Sequence, residues 1–494
     1  MKIKERGSIL MGNQNLTTDI VVVGSGMAGL AAATEAGETG ANVIVLESQE
    51  IVGGNSNLTE GVMGVGTPLQ EKQGINVDVP YIFHLEQEFQ NYNIDPILWE
   101  TIFTNSSGNI QWLEDHGVNF AFVSSPGNSA KTWHVYDGPE DRLGFEANSK
   151  LAKAAEAAGV RLIMNTEGRT LKMSGSRVVG IEAFSKDGTQ YSIDAKAVIL
   201  AGGGMGANME ELGRITNRVP DNLHYYGAPG NNGTCIRMAE QAGGGTPKNI
   251  IISMVGSSVE GCHVRSQLSE SGAMEGWNIW LNQNGVRFAN EGLVDQYSRA
   301  CNLIQNQQKT FSVYDQNTFE KLMTDGCANG WGMFVLPGTK LTDLPKELEQ
   351  YKDNPFIYVA DTLEDFADHF GINPDAVKNS IAEYNGMVAA GEDTKYHKPA
   401  ELLRSVSRPP FYCFRIKANN LNTMGGIRID TSCHVLTEQY VPIPGLYAAG
   451  MDCSGFSGET YGLNIPGSCQ GIALGTGRIA GANAARESKV NNTI

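Results

Sequence analysis

A glycine-rich segment near the N-terminus constrains the fold more than any other feature of this 494-residue chain. The β-branched run at 20–23 leads directly into Gly24, Gly26 and Gly29, and an alanine-rich stretch follows at 30–40. A G-x-G-x-x-G pattern between a strand and a helix allows a tight turn, close approach of a pyrophosphate and close helix–strand packing. The segment therefore predicts the βαβ start of a dinucleotide-binding domain.

The second strand of this unit is expected at 41–46 and ends at Glu47. An acidic residue at that point can accept hydrogen bonds from ribose hydroxyls, and the helix N-terminus offers N–H groups to phosphates. A glycine motif by itself is weak evidence, because ordinary glycine turns also contain it. Since strand, helix and acidic residue accompany it here, we interpret the segment as a nucleotide site.

Two further glycine-rich stretches favour FAD over NAD as the nucleotide. Gly53, Gly54, Asn55 and Ser56 follow the second strand and would bring backbone close to the phosphates and the flavin ring. Near the C-terminus, 444–450 predicts a strand entering a glycine turn, and 466–468 can open a helix that runs through Arg478. A helix N-terminus directed at the N1–C2=O edge of a flavin would stabilise the reduced anionic ring.

The remaining pattern predicts an α/β fold. We expect a Rossmann-like FAD-binding domain that is discontinuous, with an inserted α+β substrate or capping domain. The first part is assigned to 19–240, the inserted domain to 245–415, and the second part to 416–485. Within the insertion, 363–389 predicts two amphipathic helices separated at Asn373 and Pro374, since proline favours a helix start.

Composition excludes several classes of protein. A formal net charge of −17 would repel nucleic acid. The eight cysteines form no C-x-x-C pair, which argues against a disulfide framework, a zinc site or an iron–sulfur cluster. The sequence contains no run of about 18 apolar residues, so it does not predict a membrane-spanning helix. The first 18 residues are too polar for a secretory signal, so we expect a cytoplasmic protein with a short frayed tail.

Six segments together resemble one flavoprotein family, which contains soluble fumarate reductases, urocanate reductases and 3-ketosteroid dehydrogenases. They are VVGSGMAG at 22–29, GGNS at 53–56, GVRFANE at 285–291, ADTLED at 360–365, TMGG at 423–426 and PGLYAAG at 444–450. The resemblance covers about 19–485 and implies FAD, with hydride moving between flavin N5 and an adjacent carbon–carbon bond. No histidine is placed for covalent attachment, so we expect non-covalent FAD.

The cofactor-binding residues that we assign lie in these segments and next to them. They are Gly24, Gly26, Met27, Ala28, Gly29, Glu47, Ser48, Gly53, Gly54, Asn55, Ser56, Ala201, Gly202, Gly203, Gly450, Asp452, Pro466, Gly467 and Ser468.

The chain departs from the family at the positions that hold a dicarboxylate. The family's histidine, its proton-donating arginine and the arginine of its C-terminal glycine turn fall at Asn422, at Asp295 and near Asn464. The glutamate and arginine of its proton relay fall at about Ser271 and Met274. A doubly charged substrate needs charge-assisted donors in a dry site. The resemblance with these departures therefore predicts a neutral substrate and excludes a dicarboxylate.

We assign the catalytic roles to Asp295, Tyr461, Tyr297 and Asn422. Asp295 could supply a proton if burial raises its pKa, although a solvated surface position is an equal alternative. Tyr461 lies in the glycine-rich segment that approaches the ring, and is the other candidate acid. Arg287 and Glu291 are expected to form a structural ion pair.

The predicted function is reduction of a neutral unsaturated or benzylic carbon centre, in a steroid-like enone or a plant phenolic such as an isoflavonoid. One alternative is a dehydrogenase of the ketosteroid type, although Ile465 stands where that group carries tyrosine before Pro-Gly. Another is a non-catalytic FAD protein that senses redox state. The chain carries no haem motif or second dinucleotide fingerprint, so electrons are expected from NAD(P)H or a separate carrier, and the partner is a small-molecule substrate.

Overall fold

The computed structural model describes residues 12–126, 129–139, 141–216, 220–332 and 335–490. The strands are β1 Asn13–Val23, β2 Val43–Leu46, β3 Gly61–Met63, β4 Phe120–Ser124, β5 Trp133–Tyr136, β6 Arg161–Ile163, β7 Thr166–Ser174, β8 Arg177–Ser185, β9 Gln190–Leu200, β10 Leu223–Tyr225, β11 Lys248–Val259, β12 Ile279–Asn282, β13 Thr310–Asp315, β14 Ile357–Ala360, β15 Phe411–Gly426, β16 His434–Leu436 and β17 Pro442–Ala448.

The helices are α1 Met27–Glu38, α2 Pro68–Lys72, α3 Val79–Phe89, α4 Pro96–Asp115, α5 Leu143–Ala157, α6 Met209–Thr216, α7 Thr234–Gln241, α8 Gln267–Ser269, α9 Tyr297–Gln305, α10 Gln316–Thr324, α11 Leu344–Gln350, α12 Leu363–Phe370, α13 Pro374–Ala390 and α14 Ser468–Val490. Short 3₁₀ turns occur at Gly54–Leu58, Glu291–Gln296 and Gly450–Asp452, among others.

The chain forms two units. Unit 1 consists of the described residues within Met1–Asn208, Gly227–Ile252 and Asn422–Ile494. Unit 2 consists of those within Met209–Tyr226 and Ser253–Leu421. Strands β11 and β15 each continue from one unit into the other. The domain limits 19–240, 245–415 and 416–485 stay a prediction.

Unit 1 is organised around a sheet in the order β16-β17-β9-β1-β2-β6, with β8 on β9 and β7 on β8. The β17, β9, β1, β2 and β6 ladder is parallel. The predicted β1–α1–β2 unit is present, and Ile20, Val21 and Val22 at the end of β1 are fully buried. The α/β, Rossmann-like class predicted from the sequence is thereby confirmed.

The prediction of a frayed tail over the first 18 residues is wrong for residues 13–18. Strand β1 begins at Asn13 and pairs in parallel with β9 from Asn13 opposite Gln190 onward. Hydrogen bonding between backbones, which needs no apolar side chains, accounts for a strand in this polar segment. Residues 1–11 lie outside the described residues.

Unit 2 contains a sheet in the order β10-β15-β13-β12, with β14 on β15. The predicted helix pair α12 and α13 packs on it through buried side chains such as Phe366 and Tyr384. Asn373 caps α13 by accepting the N–H groups of Asp375 and Ala376, and Pro374 is its first residue. Within the part of the chain that is described, no helix combines the length and apolar character that crossing a bilayer requires.

Candidate active site

The first part of the site is a glycine turn between β1 and α1. Gly24 has φ 102°, and a Cβ there would lie 2.3 Å from the carbonyl oxygen of Ala201. A Cβ on Gly29 would lie 1.9 Å from the carbonyl oxygen of Gly24, so helix and turn approach closer than any side chain permits. Gly26 caps α1 with extended backbone, and its nearest neighbour, the carbonyl oxygen of Gly53, would lie 3.6 Å from a Cβ. The first turn of α1 thus presents backbone N–H groups that have no partner within the helix.

Glu47 is buried at the end of β2, where it fixes this turn. Its Oε2 accepts the N–H and the hydroxyl of Ser25 at 2.9 and 2.6 Å. Its Oε1 accepts the N–H of Gln49 at 2.8 Å and a long bond of 3.4 Å from the Ser48 hydroxyl. Oε1 therefore has one short bond and can accept a ribose hydroxyl.

The predicted segment at 53–56 lies against the same turn. The N–H of Gly53 donates to the carbonyl of Ser25 at 2.9 Å. The Ser56 hydroxyl accepts the N–H of Met27 at 3.1 Å and lies 3.2 Å from Nε2 of Gln470, whose Oε1 is buried without a hydrogen-bond partner among the described residues. We call residues 24–29, 47 and 53–56 the nucleotide cradle.

Asp452 is fully buried beside the cradle and accepts the N–H groups of Gly204 and Gly203 at 2.9 and 3.0 Å. Burial raises its pKa to about 6, against the effect of these N–H donors. Gly450 has φ 76°, and a Cβ there would lie 2.9 Å from the Cβ of Ala28. Asp452 therefore fixes the backbone at Gly203 and Gly204. This structural role is separate from its predicted contact with the cofactor.

The cradle fits the diphosphate half of FAD. Its close approaches at Gly24 and Gly29 are open only to glycine, the N-terminus of α1 follows the turn, and Glu47 keeps an acceptor for a ribose. In unit 1, Pro466 and Gly467 directly precede α14, which begins at Ser468, and the N–H of Met63 donates to the Gly467 carbonyl at 3.0 Å.

Residues 455–469, which we call the glycine turn, precede and enter α14. Gln90, which follows α3 as its C-cap, binds this segment through both ends of its amide, and Glu86 of α3 reaches Asn464. Both side chains are buried, Glu86 at 4% and Gln90 at 0% exposure. Neither residue was predicted from the sequence to belong to the site. The available signal was their spacing, because Ile82, Glu86 and Gln90 share one face of an amphipathic helix.

Asn422 and Tyr461 also lie in unit 1. Asn422 is 5% exposed, and its Oδ1 has no hydrogen-bond partner among the described residues. Tyr461 is half-buried and bonds the Cys469 thiol, which partly offsets the effect of burial that raises the pKa of Cys469 to about 12. A buried amide oxygen without a partner costs free energy unless a ligand or water satisfies it.

Asp295 and Tyr297 lie in unit 2. Desolvation by the surrounding protein raises the pKa of Asp295, although its side chain is exposed. Tyr297 is buried, and its hydroxyl oxygen accepts the N–H of Gly332 at 2.5 Å. The structure thus collects Tyr461, Asn422 and all the assigned cofactor residues in one unit, and Asp295 and Tyr297 in the other.

The predicted ion pair of unit 2 is confirmed. Arg287 donates to both oxygens of Glu291 at 2.9 and 2.8 Å and to Asp393 at 2.7 Å, with all three side chains buried. Two further buried acids of unit 2 were not predicted. Glu270 and Glu275 flank a π-helical turn, and burial raises their pKa values to about 8 and about 7.

Comparison with known proteins gives one family and several relatives. Residues 19–462 match the model of the FAD binding domain family. The chain is 35% identical to the vinyl phenol reductase of Lactiplantibacillus plantarum over 95% of this chain and 96% of that protein. It is 30% identical to the urocanate reductase of Eggerthella lenta over 98% of this chain and 77% of that protein. The solved flavocytochrome c3 fumarate reductase in its open conformation superposes with a TM-score of 0.73 at 26% identity, covering 96% of this chain and 79% of that one.

Proposed function

Because the chain belongs to the FAD binding domain family and is an FAD-dependent reductase, we propose that it reduces a neutral carbon–carbon double bond conjugated to a phenolic ring. Dicarboxylates are excluded from this proposal. The relative from L. plantarum is named for a vinyl phenol, which is such a molecule.

One observation carries the choice of a neutral substrate. The glycine turn contains no lysine, arginine or histidine, and the charged side chain that binds it from α3 is an acid, Glu86. Asn422 adds a neutral amide with an unsatisfied oxygen. A substrate carboxylate near these groups would face an acidic side chain and neutral amides. It would instead need charge-assisted hydrogen-bond donors. A phenol supplies a hydroxyl donor that an amide oxygen can accept.

The residues assigned to the cofactor would hold FAD non-covalently through the nucleotide cradle. FAD held there in its reduced form would supply the hydride that the substrate carbon accepts. Tyr461 and Asp295 are the candidates to deliver a proton to the neighbouring carbon, and Tyr297 is a further hydroxyl in unit 2. NAD(P)H or a separate carrier is proposed as the electron source. The cytoplasmic location stays a prediction.

The test is reoxidation of the anaerobically reduced protein by single compounds. We expect 4-vinylphenol to restore the flavin absorbance at about 450 nm at least a hundredfold faster than fumarate or urocanate does. A steroid enone and an isoflavone, added separately, define how large a ring system is accepted. Rapid reoxidation by fumarate would refute the neutral substrate, and reoxidation by none of these compounds would favour a non-catalytic redox protein.

A further inference from the structure

The glycine turn is fixed to α3 through a chain of amide contacts. Gln90 Oε1 accepts the N–H groups of Gly458 and Glu459, each at 3.0 Å. Gln90 Nε2 donates to the carbonyl of Thr460 and to Oε1 of Glu86, each at 2.7 Å. Because two backbone N–H groups require an acceptor, the Gln90 amide can adopt only this orientation.

The orientation of Gln90 determines how Glu86 is used. Because Gln90 Nε2 donates to Oε1 of Glu86, the other carboxyl oxygen of Glu86, Oε2, is the one that contacts Asn464. Asn464 Nδ2 donates to Glu86 Oε2 at 2.9 Å. Asn464 Oδ1 accepts no hydrogen bond from any residue within the described ranges, and the side chain is partly exposed. A buried network thus orients one accessible amide with its oxygen unused.

The carboxyl group of Glu86 packs directly against the backbone of the glycine turn. A Cβ on Gly462 would lie 2.5 and 2.6 Å from the two Glu86 oxygens, so only glycine allows the carboxyl to lie against the turn. Burial raises the pKa of Glu86, and the amides of Gln90 and Asn464 partly offset this. Cys469 is the neighbouring titratable group on α14, and its raised pKa of about 12 keeps the thiol neutral near pH 7.

We propose that Glu86 is a positioning residue that turns Asn464 so that its Oδ1 accepts the hydroxyl of the substrate. This inference rests on the proposed function, since a phenolic hydroxyl is the donor that such an acceptor selects. Glu86 does not touch the substrate in this proposal. It decides whether the glycine turn offers an acceptor or a donor.

The substitution Glu86→Gln tests this directly. Gln at position 86 must still accept from Gln90 with its oxygen, so its NH₂ group points at Asn464. The Asn464 amide must then rotate to offer Oδ1, and its Nδ2 becomes the accessible group. Size and shape are unchanged, while the hydrogen-bonding sense at Asn464 is inverted.

The double variant Glu86→Gln, Asn464→Asp provides the rescue. One oxygen of the new aspartate accepts from the glutamine, and the other is again an accessible acceptor. Glu88→Gln is the matched control, because Glu88 lies on the exposed face of the same helix. Should Glu86→Gln not fold, Asn464→Leu removes the acceptor and gives the same expected loss.

The measurement is the affinity of the FAD-loaded protein for 4-ethylphenol and for its methyl ether, 4-ethylanisole, by calorimetry. We expect the wild type to bind the phenol about tenfold more tightly, as one hydrogen bond supports. The ratio should fall to about one or below in Glu86→Gln, return in the double variant and stay unchanged in Glu88→Gln.

Two results are distinguishable. A folded, FAD-loaded Glu86→Gln variant that keeps the wild-type preference would overturn the role of Glu86, even if 4-vinylphenol is reduced. A wild type that reoxidises with no neutral olefin would remove the proposed function itself, and the inference with it.

Discussion

The nucleotide cradle and the glycine turn are held in opposite ways, although both belong to unit 1. In the cradle, Glu47 contacts Ser25, 22 positions away, and the approaches of Gly24 and Gly29 lie within one motif. In the glycine turn, Gln90 contacts Thr460 across 370 positions. The cradle depends on backbone that only glycine can form, whereas the turn depends on side chains from a distant helix. Substitutions in the first should affect cofactor binding, and those in the second should affect substrate choice.

The largest expected effect comes from Gly29→Ala in the cradle. The new Cβ would lie 1.9 Å from the carbonyl oxygen of Gly24, so the turn must move. We expect the free energy of FAD binding to become less favourable by more than about 3 kcal/mol, which corresponds to an FAD affinity more than about a hundredfold weaker. Flavin absorbance per protein after dialysis measures it.

Gly108→Ala is the control for this substitution. Gly108 lies in α4, is exposed, and a Cβ there would meet no atom within 4 Å. We expect a gain of up to about 1 kcal/mol in stability with unchanged FAD content. A Gly29→Ala protein that remains fully loaded would break the distinction between cradle and turn.

A smaller effect, on stability, is expected from Asp452 beside the cradle. Its folded pKa of about 6 lies above the ordinary value of 3.8, so the folded state keeps the proton longer than the unfolded state. The protonated side chain of Asp452 stabilises the folded state fully below about pH 3.8. This contribution to the free energy of unfolding is lost as pH rises through 6, by about 3 kcal/mol in total.

Asp452→Asn should remove this dependence, so its free energy of unfolding should fall by less than that of the wild type between pH 4 and pH 7. Urea titrations at several pH values compare the two proteins. Parallel curves would show that burial does not raise the pKa of Asp452 in the folded protein. The preference for phenol over ether should not change, in contrast to Glu86→Gln.

The smallest effect concerns proton delivery. Tyr461→Phe and Asp295→Asn, tested separately, should slow reoxidation by 4-vinylphenol, with at least one losing about tenfold or more. Neither should change FAD content, because neither residue belongs to the cradle. Stopped-flow absorbance measures the rate. If both variants react at the wild-type rate, the assignment of these two acids is wrong.

Most of the cradle could be predicted from the sequence, because strand, glycines, helix and Glu47 occur within about thirty residues and each has a separate physical reason. The helix break at Asn373 and Pro374 was predictable for the same reason. The bonds of Glu86 and Gln90 to the glycine turn were not, since a buried polar residue on a helix face does not reveal its partner. Asp452 was assigned to the cofactor, yet its two backbone contacts depend on β9 and β17 lying side by side.

The contact between α1 and α14 has a consequence for synthesis of the protein. A Cβ on Gly477 or Gly481 would lie 2.4 or 2.3 Å from the carbonyl oxygens of Ala28 and Ala32, so the last helix lies directly on the first. The face of α1 that carries these alanines has no cover until α14 leaves the ribosome. At about 5–20 residues per second, the nascent chain carries an incomplete flavin site for tens of seconds before α14 is made.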